Sequence, residues 1–304
     1  MAKNFPGGVW PVMLVPFKNN GEVDYEGVKC LVDWYIGKGV AGLFAVCQSS
    51  EMFFLSLEER VKIAEEVVRA ANGRVPVIAS GHISDGEEMQ VKEVNAMAES
   101  GVDAVILLTN RFASEGEDDS IWMQRVERFL EKINPDIPLG FYECPYPYKR
   151  LISLENLQTC ARSGRFFFLK DTCCDLGLIE RRLDCIRGTN LKLYNANSST
   201  LYESLLKGAA GFSGVMANFH PQLYVYLCGH LEEERVRYLK DFISLASLIE
   251  RQYYPVNAKY FLKEFEGLPI ETYCRKLDDG GLNSTYQAEL RMLKELTDLV
   301  ESYY

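Results

Sequence analysis

Positive charge is scarce in this chain. It carries 33 Lys and Arg against 43 Asp and Glu, a formal charge of −10, with no basic block or stripe. Phosphate groups would meet no cluster of cations, which argues against nucleic acid and anionic membrane surfaces as partners. No segment approaches the roughly 18 consecutive apolar residues of a membrane span. The opening residues Met1-Ala2-Lys3-Asn4-Phe5-Pro6-Gly7-Gly8 lack the apolar core of a secretory leader. The nine cysteines are odd in number, irregularly spaced and without a C-x-x-C, and the neighbours Cys173 and Cys174 are poorly placed for a disulfide. Reduced thiols in a cytoplasmic protein are the expectation. His82, His220 and His230 are the three histidines and fit no zinc pattern with these cysteines.

Apolar segments, by contrast, are plentiful and regularly spaced. Eight runs read as strands: Val9–Val15, Ala41–Cys47, Pro76–Ser80, Ala104–Leu108, Pro138–Cys144, Phe166–Lys170, Leu191–Tyr194 and Gly211–Val215. Most are continuously apolar, as strands covered on both faces of a parallel sheet are. Helical patterns fill the gaps. Val28, Leu31, Val32 and Tyr35 share one stripe. Ser56 and Glu59 form a capping box ahead of a stripe of Val61, Ala64, Val68 and Ala71, with Gly73 as the stop. Gly39, Gly101 and Gly208 mark other helix ends. Eight strand–helix units indicate a (β/α)8 TIM barrel, a fold of about 250 residues. The barrel is expected over residues 1–248 and an all-helical C-terminal extension over 249–304, its last helix carrying Leu290, Leu293, Leu296 and Leu299.

Barrels of this kind place their chemistry at the C-terminal ends of the strands. The sixth strand ends in Lys170. A lysine there either snorkels into water beside Asp171 or is held near low-dielectric surroundings that favour the neutral, nucleophilic amine. The fifth strand ends near Tyr142, whose phenol next to an amine is a candidate proton shuttle for imine chemistry. Glycines around Ser213 on the eighth strand let backbone N–H groups approach an anion. Thr172 is either a substrate contact or a helix cap. Arg111, Glu143 and Arg150 read as structural, Cys144, Cys173 and Cys174 as inert thiols, and His82 as a loop hydrogen-bonder.

Four segments together resemble the dihydrodipicolinate synthase / N-acetylneuraminate lyase family: Cys47-Gln48-Ser49-Ser50-Glu51 with Leu55-x-x-Glu58-Glu59-Arg60, Tyr142-Glu143-Cys144-Pro145, Phe168-Leu169-Lys170-Asp171-Thr172, and Gly208 to Asn218. The resemblance covers almost the whole chain and implies a class I aldolase or lyase without metal or organic cofactor, commonly a tetramer or dimer. Lys170 would form an imine with a 2-oxo acid such as pyruvate, and Tyr142 would relay a proton. Ser49, Gln48 and the backbone around Ser213 would hold the carboxylate, with Thr172 near the substrate. The chain also departs from the family. Gln48 replaces a hydroxyl residue, and Phe112 stands where synthases place a second tyrosine. Pro147 stands for an arginine that only Arg150 could replace, and Ser198-Ser199 stand where sialic acid lyases carry an acidic pair. These changes argue against both named activities and for another hydroxylated 2-oxo acid. The alternatives are a dehydratase of a 2-keto-3-deoxy sugar acid on the same scaffold, or a non-catalytic paralogue that binds a 2-oxo acid.

Overall fold

The computed structural model describes residues 5–304. Met1–Asn4, which begin the segment read above as lacking a leader, lie outside the described residues. Eight strands occur in the expected order: β1 (Gly8–Val9), β2 (Leu43–Phe44), β3 (Val77–Ser80), β4 (Ala104–Leu108), β5 (Leu139–Tyr142), β6 (Phe166–Asp171), β7 (Lys192–Asn195) and β8 (Gly211–Phe212). All adjacent pairs are parallel, in the spatial order β1-β8-β7-β6-β5-β4-β3-β2. The sheet closes where β1 meets β2, through a bridge between Val12 and Phe44 and hydrogen bonds from Phe44 N to Pro11 O and Met13 N to Phe44 O, both 3.0 Å. The fold is a (β/α)8 TIM barrel. The first two strands are shorter than the apolar runs suggest. Pro11 has no N–H to give to a ladder, so regular pairing in the first run stops just before it.

The barrel helices are α1 (Tyr25–Gly37), α2 (Leu57–Ala71), α3 (Glu87–Glu99), α4 (Asp119–Leu130), α5 (Leu154–Arg162), α6 (Leu176–Ile186), α7 (Ser198–Leu206) and α8 (Pro221–Gly229). After them come α9 (Val236–Ala246), α10 (Val256–Phe265) and α11 (Ser284–Glu301). None of these is long and apolar enough to cross a membrane. The α1 stripe is buried as expected. The α2 capping box is present, with Ser56 Oγ accepting from Glu59 N, but the buried face is rotated to Ile63, Ala64, Val67 and Ala71. Asn72, in the left-handed region at φ 47°, caps this helix one residue ahead of Gly73. On α11 only Leu290 and Leu293 of the expected leucines are buried, and Thr297 completes their stripe while Leu296 and Leu299 are half exposed. A strict three-residue step turns the helix by about 300°, so such a row drifts off one face within two turns.

Aromatic rings plug the barrel interior. Phe168 stacks on Tyr194 at 4.1 Å, Trp10 meets both edge-on, and Phe44 packs against Phe168 and Tyr142. The plug requires glycine at Gly42, where a Cβ would lie 2.3 Å from the Trp10 ring. The tail packs as part of this body: Val256, Phe261, Leu262 and Leu290 are fully buried.

Candidate active site

Successive strand residues face opposite sides, and the register of β5 and β6 uses this twice. Tyr142 pairs with Lys170, and Lys170 pairs with Tyr194 on β7. Lys170 lies two residues beyond Phe168 and so faces the interior, directly above the aromatic plug. The next residues along, Glu143 and Asp171, face the helix layer. There Arg182 of α6 donates from Nη1 to Glu143 Oε2 at 3.0 Å and also pairs with Asp171. All three groups are fully buried, so Asp171 is not the surface partner that a snorkelling lysine would have. Burial raises the Glu143 carboxyl while Arg182 opposes that shift, and the two carboxylates hold Arg182 firmly as a cation.

Lys170 is 5% exposed, and its side-chain ammonium makes no hydrogen bond or ion pair with a described residue. Its Nζ lies 4.3 Å from the centre of the Tyr142 ring and 5.9 Å from that of Phe44. Burial lowers its pKa below the ordinary lysine value, against weaker opposing effects of Cys47, Cys144 and Glu250. Burial also pushes the Tyr142 phenol well above its ordinary value. Tyr142 therefore stays protonated, and its OH donates to Gln48 Oε1 at 3.3 Å. Gln48 and Ser49 open a short 3-10 turn after β2, and their backbone N–H groups donate to no described residue. Ser50 braces this turn: its Oγ accepts from Cys47 N at 3.0 Å and lies 2.8 Å from Met13 O.

These groups surround a cavity of about 250 Å³ lined by Gln48, Ser49, Tyr142, Lys170 and Thr172, with Gly214 and Val215 from the β8 side. That is just under the roughly 300 Å³ at which drug-sized ligand sites begin, so a compact metabolite fits. Five of the six residues expected at the site thus come together. Thr172 Oγ1 donates to Glu143 O at 2.7 Å, and α6 is capped instead by Asp175. Ser213 is buried beside the cavity, not on its lining. Its N–H already donates to Asn195 O at 2.8 Å, and its Oγ has no partner among the described residues.

The remaining readings sort cleanly. Phe112 packs among His82, Trp122 and Phe129, away from the cavity. Arg150 is spent on Ser114 O, Glu117 O and Asp119, and Arg111 on Asp85. His82 Nε2 accepts from Leu108 N at 3.1 Å. Burial raises the Cys144 thiol to about 11 and the Cys173 thiol to about 12, which keeps both protonated. Among the described residues no group of His, Cys, Asp and Glu is placed to hold a metal.

The sequence reading missed what the tail contributes: Glu250, Tyr254 and Lys276 also line the cavity. Tyr254 OH accepts from Asn218 Nδ2 at 3.0 Å, and Asn218 Oδ1 accepts from Tyr35 OH. The tail is docked by Glu51, in the left-handed region at φ 58°, which accepts from Lys259 Nζ at 2.9 Å, Arg275 N at 2.7 Å and Lys276 N at 2.8 Å. No periodicity announces these contacts, and the charge match between Glu51 and Lys259 spans 208 positions.

Residues 5–288 match the dihydrodipicolinate synthetase family. The chain is 31% identical to a 4-hydroxy-tetrahydrodipicolinate synthase of Roseobacter denitrificans over 218 residues, covering 71% of this chain and 72% of that one. It is 28% identical to the enzyme of that name from Methanocaldococcus jannaschii, covering 87% and 86%. Among solved structures, dihydrodipicolinate synthase from Acinetobacter baumannii complexed with pyruvate superposes with a TM-score of 0.85 at 24% identity, covering 97% of this chain and 99% of that one. YagE, a prophage protein of E. coli K12 in complex with pyruvate, gives a TM-score of 0.83 at 19% identity, covering 96% and 99%. At such identities the structural matches speak for the fold alone.

Proposed function

The chain belongs to the dihydrodipicolinate synthetase family, and from that premise we propose that it is a Schiff-base lyase or aldolase acting on a 2-oxo acid through Lys170. The observation that carries this reading is the placement of Lys170: a buried lysine with no counter-ion among the described residues, facing a cavity beside a protonated phenol. Its lowered pKa raises the fraction of neutral amine near neutral pH. The amine adds to the ketone carbon, a proton passes from nitrogen to the former carbonyl oxygen, and water leaves to give the imine, whose nitrogen takes up a proton from solvent to become the iminium. In cleavage, the bond between the carbon next to the iminium carbon and the hydroxyl-bearing carbon breaks, and its electrons flow into the iminium to form an enamine. Tyr142 takes the proton from the substrate hydroxyl and hands it on, and condensation runs these steps backwards. The free N–H groups of Gln48 and Ser49 hold the carboxylate, with the Ser49 hydroxyl beside them. Residues 1–248 form the catalytic barrel in this reading, and residues 249–304 complete the wall of its site.

Incubation with pyruvate and borohydride followed by peptide mass mapping tests the first step. A pyruvate-derived mass on the peptide bearing Lys170 is expected, and Tyr142→Phe is expected to keep that adduct while losing about 10²–10⁴ in turnover. No adduct with pyruvate or a panel of 2-oxo acids would refute the reading. Product analysis separates carbon–carbon cleavage from loss of water.

A further inference from the structure

Tyr254 brings a second phenol to the cavity, from just ahead of α10. What it can offer a ligand follows from the groups behind it. Asn218 is fully buried, and its Nδ2 lies 3.0 Å from Val12 O and 3.0 Å from Tyr254 OH. A backbone carbonyl only accepts, so it is the amide nitrogen of Asn218 that faces Val12. The amide oxygen is left for Tyr35 OH, a fully buried phenol that donates to it. The polarity of the row is thereby fixed. An amide nitrogen cannot accept, so the Tyr254 oxygen takes an N–H from Asn218 and its own proton points elsewhere. Burial holds this phenol well above its ordinary value, so the proton stays on, and the neighbouring Ser49 hydroxyl opposes part of that rise.

The two phenols of the cavity are therefore set in opposite senses. Tyr142 spends its proton on Gln48 Oε1 at 3.3 Å and keeps a lone pair for a ligand. Tyr254 spends a lone pair on Asn218 and keeps its proton. Glu250 lines the same cavity but makes no hydrogen bond with a described residue, so it does not take that proton. The neighbours of Tyr254 are donors as well: the Ser49 hydroxyl, and the backbone N–H groups of Gln48 and Ser49, which donate to no described residue. Donors gathered in this way match an anion with several lone pairs, and a carboxylate offers about four. We propose that Tyr254 donates a hydrogen bond to the carboxylate of the bound 2-oxo acid, completing from the helical tail the site that the Gln48–Ser49 turn begins. On the Schiff-base reading, from which this follows, that carboxylate is the one next to the carbon that Lys170 attacks. The buried row behind Tyr254 aims the proton before the ligand arrives, so binding spends little on ordering it. Tyr254 is thus a substrate-binding residue, and the carboxylate site is incomplete in a barrel without its tail.

Tyr254→Phe removes the proton and keeps the ring. Pyruvate affinity, read by calorimetry, is expected to fall about tenfold or more, as for the loss of a hydrogen bond to a charged group. Borohydride trapping at saturating pyruvate should still reach the level of the unaltered chain, which shows that the variant folds and that Lys170 reacts. Trapping of acetone, a ketone without a carboxylate, should proceed at the unaltered rate, whereas a merely structural role for Tyr254 would slow it too. In a Ser49→Ala background the loss from Tyr254→Phe should persist. An unchanged pyruvate affinity or an equal loss with acetone overturns the inference. So does a loss that vanishes once Ser49 is gone, because Tyr254 would then act only through that hydroxyl. If the unaltered chain binds pyruvate but traps neither it nor other 2-oxo acids, the Schiff-base reading falls instead, and the calorimetric comparison still decides the carboxylate contact. Absence of any pyruvate binding overturns both.

Discussion

Lys170 sits where its own charge is unwelcome, and that conflict is measurable. Burial depresses its pKa, so in the folded state it gives up its proton at a lower pH than in the unfolded chain. Between those two values the unfolded chain binds more protons, and stability must rise with pH through that window. The cost of the buried ammonium is present in full below the folded value and is relieved as pH climbs toward the ordinary lysine range. Lys170→Met keeps the stem and cannot ionise. It is expected to abolish pyruvate trapping yet raise Tm at pH 7, with the gap over the unaltered chain narrowing as pH rises in thermal scans. A Tm that falls at every pH would show that the amine is solvated and ordinary. Lys170 and Tyr142 were legible in the sequence because a strand's parity and its C-terminal end are local properties. Glu250, Tyr254 and Lys276 were not, because only the docking of the tail brings them to the cavity. Phe112 illustrates the limit from the other side: its position along the chain pointed to the site, and its packing against His82, Trp122 and Phe129 keeps it out.

The turn after β2 and the tail behave as one device, joined at Glu51. Its carboxylate answers the fully buried Lys259 ammonium and two backbone N–H groups of the segment that carries Lys276. The same turn presents Gln48 and Ser49 to the cavity. Glu51→Gln leaves Lys259 without its counter-charge and is expected to cost about 3–5 kcal/mol in urea unfolding. Adding Lys259→Met removes the stranded ammonium and should recover part of that loss, since the Gln oxygen still accepts from the Arg275 and Lys276 amides. A double variant no better than Glu51→Gln alone would mean that the amide contacts, not the ion pair, dock the tail. The eight strands themselves were visible because continuous apolar runs between helical patterns leave few alternatives. Their lengths were not, since Pro11 ends regular pairing early without breaking the apolar run. The α11 leucine row misled because three-residue spacing departs from the 3.6-residue turn, and the buried stripe passes through Thr297 instead.

At the scale of the whole molecule, two histidines tie the barrel together in their neutral forms. His82, beyond β3, accepts the Leu108 amide at the end of β4, and His220 links the start of α8 to Thr297 of α11 through Nδ1 at 3.0 Å. Burial drives both down to about 3, for His82 with help from the charges of Arg111 and Arg60. Their unfolded values lie near 6.5. Between about 3 and 6.5 the unfolded chain therefore binds protons that the folded chain refuses, so stability rises with pH there and is lost on acidification. At pH 4.5 the loss relative to neutral pH is on the order of 3 kcal/mol for each histidine. Carboxylates such as Glu59 and Glu87, held low by Arg275 and by Lys132, weaken the fold in the same direction, but mostly below the ordinary carboxyl range. Glu143 and Glu250, raised by burial, act the opposite way. Comparison with His82→Gln and His220→Gln subtracts these carboxylates, since they are common to all three proteins. Urea midpoints measured from pH 7 to pH 4.5 should fall steeply for the unaltered chain and less steeply for each variant, with the two differences close to additive because the sites share no partner. Parallel slopes in all three would mean that the histidines titrate normally in the folded protein and that water reaches both rings.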